Sequence, residues 1–298
     1  MISCIIKNSM QKNIVLAEGA GFCFGVKRAI DIAFDVAQKH KDGVFTLGPI
    51  IHNPQVVERL KDLGVYPVDE ISQKTIKTLI IRAHGIPKEK FNELKQLDCE
   101  IIDATCPFVK KAQNLAEKLA SEGYQVLIIG DREHPEVKGI FSYAGEKAIV
   151  INHADNELKE SKKIPILNKK IGIIQQTTQP MSKVKEIMNK IINSLNEFEE
   201  IRIFNTLCNF TSRRLEATEK VAKEVDVMIV VGGKNSANTT QLANLCRKIG
   251  VKTYHIEDAQ EIDKKWVNSA KKIGVTAGAS TPQWIIDEVI DKIKKFTN

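Results

Sequence analysis

Three cysteines occupy matched positions. Cys23 (Ala-Gly-Phe-Cys-Phe-Gly-Val), Cys106 (Asp-Ala-Thr-Cys-Pro-Phe-Val) and Cys208 (Asn-Thr-Leu-Cys-Asn-Phe-Thr) each follow a short apolar run and precede a helix-like stretch. They lie 83 and 102 residues apart, so no two share a local metal-finger motif. A thiolate at a helix N-terminus has a lowered pKa because the helix dipole favours the charged form, which is what an iron ligand requires. Three thiols from equivalent junctions can meet at one point only if three similar units surround it. Three soft ligands without an evident fourth suit an iron–sulfur cluster with one open iron better than they suit zinc. Taken singly, each cysteine would read as a small buried residue; that reading is kept for Cys4, Cys99 and Cys246.

Further polar residues fall in loops after apolar runs. They are His52, His84, His134 with Glu136, Thr177, Ser236 with Asn238, and Ser280. From each cysteine to the second such loop the distance is nearly constant: 29 residues from Cys23 to His52, 28 from Cys106 to His134 and 28 from Cys208 to Ser236. Converging helix N-termini with imidazoles and hydroxyls form a cradle for a diphosphate. Glu136 is the one carboxylate in this set. Beside a diphosphate and an electron-rich cluster its pKa should rise, leaving a protonated carboxyl able to donate at neutral pH. On its own it would read as an ordinary first-turn glutamate. Thr177 is placed to relay the proton or hold a water. Two glycine motifs carry no nucleotide site: the segment from Gly19 to Gly25 misses the dinucleotide fingerprint by one residue, and Gly232-Gly233-Lys234 lacks Walker spacing.

The elements that must position these residues recur in order. Short β-branched runs at 14–17, 44–47, 78–81, 101–104, 126–129, 171–174, 201–204, 227–231 and 273–276 read as buried strands, each followed by a turn and an amphipathic stretch. Apolar stripes follow Cys23 (Val26, Ala29, Ile30, Ala33, Ala37) and Cys106 (Val109, Ala112, Leu115, Ala116, Leu119). A weaker one follows Cys208 (Leu215, Ala222, Val225). Alternating strand and helix predict an α/β fold with mostly parallel sheets. Boundaries near residues 97 and 198 give three pseudo-equivalent α/β domains, 1–97, 98–198 and 199–298, around a central cluster, with each site at the carboxyl ends of the strands.

Composition supports this. Of 298 residues, 43% are hydrophobic but only 6% aromatic, which favours aliphatic sheets buried on both faces. No apolar stretch spans a bilayer and no charged-then-apolar leader is read, so no membrane partner is expected and the expected compartment is the cytoplasm, where thiols stay reduced. The net charge of +7 comes from lysines spread over helix faces without a dense basic tract or stacking aromatics, which argues against nucleic acid. The excess positive field instead suits an anionic substrate or an acidic electron carrier.

Together, Gly-Phe-Cys-x-Gly-Val, His-Asn, Ala-His-Gly, Asp-Ala-Thr-Cys-Pro, His-Pro-Glu-Val, Gln-Thr-Thr, Lys-Asn-Ser-x-Asn and Gly-Val-Thr-Ala-Gly-Ala-Ser resemble the 4-hydroxy-3-methylbut-2-enyl diphosphate reductase family, from about Asn13 onward. The resemblance implies a [4Fe–4S] cluster on Cys23, Cys106 and Cys208. It also implies diphosphate binding by His52, His84, His134, Ser236, Ala237, Asn238 and Ser280, a proton donor in Glu136 and a substrate contact or relay in Thr177. The implied reaction is reductive removal of an allylic hydroxyl, giving isopentenyl and dimethylallyl diphosphate, with ferredoxin or flavodoxin as electron donor. Ala237 departs from the family, standing where a second serine is frequent; Phe210 replaces a common alanine and Leu215 a glutamine. A non-catalytic iron–sulfur sensor or electron carrier is the alternative, and it would need neither the cradle nor Glu136. A hydro-lyase using the open iron would need no reductant.

Overall fold

A computed structural model describes residues 13–40, 43–51, 53–70, 76–152 and 166–297. The chain packs as two compact units, one of residues from Phe24 to Ser212, the other joining the segment up to Cys23 with that from Arg213 onward.

The first unit holds two four-stranded parallel sheets. One contains β2 (Val44–Leu47), β3 (Val65–Val68), β4 (Thr78–Ile81) and β5 (Glu100–Asp103) in the order β3-β2-β4-β5. The other contains β6 (Gln125–Ile129), β7 (Ile149–Ile151), β8 (Lys170–Gln175) and β9 (Glu200–Ile203) in the order β7-β6-β8-β9. Helices α1 (Phe24–Lys39), α2 (Pro54–Lys61), α3 (Lys88–Leu94), α4 (Pro107–Ser121), α5 (Pro135–Ala144) and α6 (Met181–Ser194) alternate with the strands. The second unit holds the third sheet, formed by β1 (Asn13–Leu16), β10 (Val227–Val231), β11 (Lys252–Ile256) and β12 (Lys272–Ala277) in the order β11-β10-β12-β1, again all parallel. With it go most of α7 (Asn209–Ala222), α8 (Ala237–Ile249), a 3₁₀ turn (Ala259–Glu261), α9 (Lys264–Asn268) and α10 (Gln283–Thr297).

The three sheets share one plan. In each, the outer strand after the third is the one that leads into a cysteine: β5 before Cys106, β9 before Cys208, β1 before Cys23. The expected boundaries at 97 and 198 fall just before β5 and β9, and pairing carries the chain past both. The strand heading each third thus closes a sheet whose other members come from elsewhere in the chain.

The nine expected strands form within a residue or so of their predicted bounds. The structure adds β3, β7 and β11, all outer strands: β3 contains Pro67, β7 is a mostly buried apolar run of only three residues, and β11 is mostly half-exposed. The inner strands β4, β6 and β10 are buried at every position, as unbroken apolar runs between helical layers require. The stripe of α4 packs Ala112, Ala116 and Leu119 against Val126, Ile128 and Ile174. The weak stripe of α7 has a structural counterpart: its buried residues are Arg214, Thr218, Val221 and Ala222, half of them polar. Among the described residues no helix is long and apolar enough to cross a membrane.

Candidate functional site

Each cysteine is fixed by its own backbone. The Cys106 N–H donates to the Ala83 carbonyl (2.9 Å), that of Cys208 to Thr177 (2.7 Å) and that of Cys23 to Ala279 (3.2 Å). Ala83, Thr177 and Ala279 are each the second residue past the end of the third strand of a sheet, namely β4, β8 and β12. The same hydrogen bond is therefore made three times at equivalent places. It sets every cysteine beside a loop that carries a predicted binding residue: His84, Thr177 itself and Ser280.

In the first unit these contacts run on without a break. His84 follows Ala83, and its ring meets that of His134 edge-on at 5.6 Å between centroids. His134 caps α5: its Nδ1 accepts from the Glu136 N–H (3.2 Å), so the neutral ring carries its proton on Nε2. Glu136 is almost wholly buried. Thr177 grips both of its oxygens, the N–H donating to Oε1 at 2.6 Å and Oγ1 to Oε2 at 2.9 Å. Thr177 in turn holds Cys208. Cys106, His84, His134, Glu136, Thr177 and Cys208 thus form one continuous polar chain. Burial pushes the Glu136 carboxyl up to about 7, against the lowering effect of the two Thr177 hydrogen bonds. The direction is the one the sequence leads us to expect beside a diphosphate and a cluster, and burial alone already supplies it.

The second unit gathers Cys23, Ser236, Asn238 and Ser280. Ser236 caps α8 by accepting from the Thr239 N–H at 3.4 Å. The Asn238 Oδ1 accepts from the Ala279 N–H (3.3 Å), one residue before Ser280 and on the residue whose carbonyl binds Cys23. Ala237 opens the helix. Gly232 permits the close packing here: its φ is +138°, and a Cβ would lie 2.6 Å from Thr281 Oγ1. His52 lies outside the described residues.

The cysteine settings fit a soft-metal ligand. Cys106 stands at the N-cap of α4 before Pro107, and its side chain makes no capping hydrogen bond. Gly25 leaves the space beside it: a Cβ at Gly25 would collide with the Cys106 Sγ and stand 2.9 Å from its Cβ. Cys23, Cys106 and Cys208 are half-buried, whereas Cys246 is buried and its thiol is pushed up to about 11 by desolvation. Burial also raises the Cys99 thiol. Among the described residues no three His, Cys, Asp or Glu side chains stand grouped as a metal-ion site. Cys23 belongs to one unit, Cys106 and Cys208 to the other.

Two arginines that the sequence did not single out steady the cysteine loops. Arg214, buried on α7, donates from Nε to the Gly19 carbonyl (2.8 Å) and from Nη2 to that of Gly21 (2.7 Å), just ahead of Cys23. Arg28 on α1 donates from Nη1 to the Thr105 carbonyl (3.2 Å), the residue before Cys106. Helical arginines usually read as surface charge. Only the weak apolar stripe of α7 hinted that something polar was buried there.

The family model described as LytB protein matches residues 14–294. A relative from Geobacter sulfurreducens named 4-hydroxy-3-methylbut-2-enyl diphosphate reductase is 47% identical over 285 residues, covering 96% of this chain and 98% of its own. One of the same name from Pelobacter propionicus is 48% identical over 280 residues, covering 94% and 97%. A solved (E)-4-hydroxy-3-methyl-but-2-enyl diphosphate reductase, described as the terminal enzyme of the non-mevalonate pathway, is 42% identical, with a TM-score of 0.73 over 95% of this chain and 99% of that one. A solved E-1-hydroxy-2-methyl-but-2-enyl-4-diphosphate reductase from Plasmodium falciparum is 27% identical, with a TM-score of 0.84 over 94% and 87%.

Proposed function

The chain belongs to the LytB family, and from that premise we propose how its residues carry out reductive dehydroxylation of 4-hydroxy-3-methylbut-2-enyl diphosphate. It is an oxidoreductase, as its relatives are. The overall change takes up two electrons and two protons, breaks the allylic C–O bond, and releases water with isopentenyl or dimethylallyl diphosphate. Cys23, Cys106 and Cys208 would hold a [4Fe–4S] cluster that supplies the electrons and, at its open iron, a Lewis acid.

The chain's own residues do the rest. His52, His84, His134, Ser236, Asn238 and Ser280 bind the diphosphate, with backbone N–H groups at the start of α8 adding dipole attraction. At residue 237 alanine offers only its N–H. Holding the diphosphate orients the allylic carbons, which is the larger part of catalysis by positioning. Glu136, protonated on Oε2, gives its proton to Thr177 Oγ1, whose own hydroxyl proton passes to the departing oxygen so that it leaves as water rather than hydroxide. Thr177 keeps that carboxyl aimed; its Oγ1 donates to ionised Oε2 and accepts from it once protonated. A ferredoxin or flavodoxin supplies electrons in a cytoplasmic setting, where the thiols stay reduced.

One observation carries this reading: a carboxyl raised to neutral pH by burial, clamped at both oxygens, beside a histidine pair and between two cysteine-bearing segments. The test is anaerobic conversion of the allylic diphosphate with and without reductant. Isopentenyl and dimethylallyl diphosphate should form only with reductant. Conversion without reductant would assign a hydro-lyase instead, and no conversion under either condition would end the proposal.

A further inference from the structure

Each cysteine is followed within two residues by a phenylalanine, and the three rings meet. Phe24 stacks on Phe210 with centroids 6.1 Å apart and planes within 12°, and Phe108 meets Phe210 edge-on, also at 6.1 Å. Such rings normally complete a core. Here Phe24 is 48% exposed and Phe210 40%, so the cluster opens to solvent.

Next to it the surface is cationic. Pro107, the residue after Cys106, lines an open groove of about 550 Å³ together with Arg28, Lys110, Lys111 and Lys118. Asp103, also in the groove, is neutralised by Lys110 (3.2 Å), and Lys118 pairs with Glu122 (3.8 Å), which leaves Arg28 and Lys111 as the uncompensated charges among the described residues. Arg28 spends its hydrogen bonds on neutral carbonyls and keeps its charge. Lys111 is exposed and makes no ion pair among the described residues. The face therefore joins an exposed aromatic patch to a net positive rim, both starting at residues adjacent to the cysteines.

We propose that this face docks a small acidic one-electron carrier protein. The inference rests on the reductase reading above: each turnover needs two electrons, so two reduced carriers must give up one apiece. An aromatic centre with a charged rim is how protein interfaces combine binding energy with orientation, and opposite charge raises the encounter rate. Docking here places the carrier over the segments that bear Cys106 and Cys208.

The experiment compares two electron sources in the anaerobic holoenzyme: reduced acidic ferredoxin or flavodoxin, and dithionite-reduced methyl viologen, which needs no docking. The variants are Lys111→Glu combined with Lys118→Glu, and separately Phe210→Ala. The proposal expects KM for the carrier to rise about tenfold in each, with the charge variant losing most of its salt sensitivity, while viologen-driven turnover keeps its wild-type rate. An unchanged carrier KM in both variants overturns it. So does an equal loss with both electron sources, which would assign the residues to the integrity of the site. Wild-type turnover with viologen but with neither carrier overturns the docking proposal alone. Failure with every donor overturns the reductase reading as well.

Discussion

At the scale of the residue, Glu136 and Gly25 are decisive. Glu136 is raised to about 7 by burial, so its proton is available below that pH and lost above it. Turnover should therefore fall as pH rises through about 7, and Glu136→Gln should lower it by about 10²–10⁴-fold without changing the visible absorption of the bound cluster. The same shift has a consequence for stability. A carboxyl whose folded pKa lies above its unfolded value contributes fully below the unfolded value, near 4.5, and that contribution is lost as pH rises through 7. Glu136→Gln, which avoids the buried charge, should thus be more stable than wild type at pH 8, by up to about 3 kcal/mol; urea unfolding at pH 5 and pH 8 measures the difference. Gly25 is a separate case. Its missing side chain leaves room for the Cys106 thiol, so Gly25→Ala should lower iron content while the far-ultraviolet circular dichroism stays native. Full iron content in that variant would show that the thiol tolerates displacement.

At the scale of the element, every cysteine is tied to the loop after a strand, and the loops of Cys23 and Cys106 are tied to a helix as well. The strand end supplies the carbonyl that receives each cysteine N–H; α1 and α7 supply Arg28 and Arg214. Arg214 spans two carbonyls with one planar group, a geometry lysine cannot reproduce. Arg214→Lys should therefore destabilise the fold by about 1–3 kcal/mol and speed loss of iron to a chelator, both measurable on the anaerobic protein. Wild-type iron retention would leave Arg214 a purely structural residue. Here the sequence was only partly legible. Helices after Cys106 and Cys23 stood out because their apolar residues fall on one face. Arg214 did not, because an arginine on a helix gives no sign of being buried. The same physics explains β3 and β11, since an outer strand needs neither continuous apolar residues nor a full set of N–H donors; β7, an Ile-Val-Ile run, carried the apolar signal but is only three residues long.

At the scale of the whole molecule, three four-stranded parallel sheets repeat one strand order, and each is closed by the strand that leads into a cysteine. The near-constant spacing from each cysteine to the second polar loop reflected this, since equal elements consume equal lengths of chain. What spacing could not convey was the exchange of the outer strand, because pairing partners depend on which sheet offers an open edge. The direct test of the account is iron and acid-labile sulfide analysis, with electron paramagnetic resonance, on anaerobically purified wild type and on Cys23→Ser, Cys106→Ser, Cys208→Ser and Cys246→Ser. About four irons and four sulfides per chain are predicted for wild type and for Cys246→Ser, with loss or degradation of the cluster in each of the other three. Wild type without iron, or any one of those three variants retaining the full complement, would contradict the assignment of Cys23, Cys106 and Cys208 to one cluster.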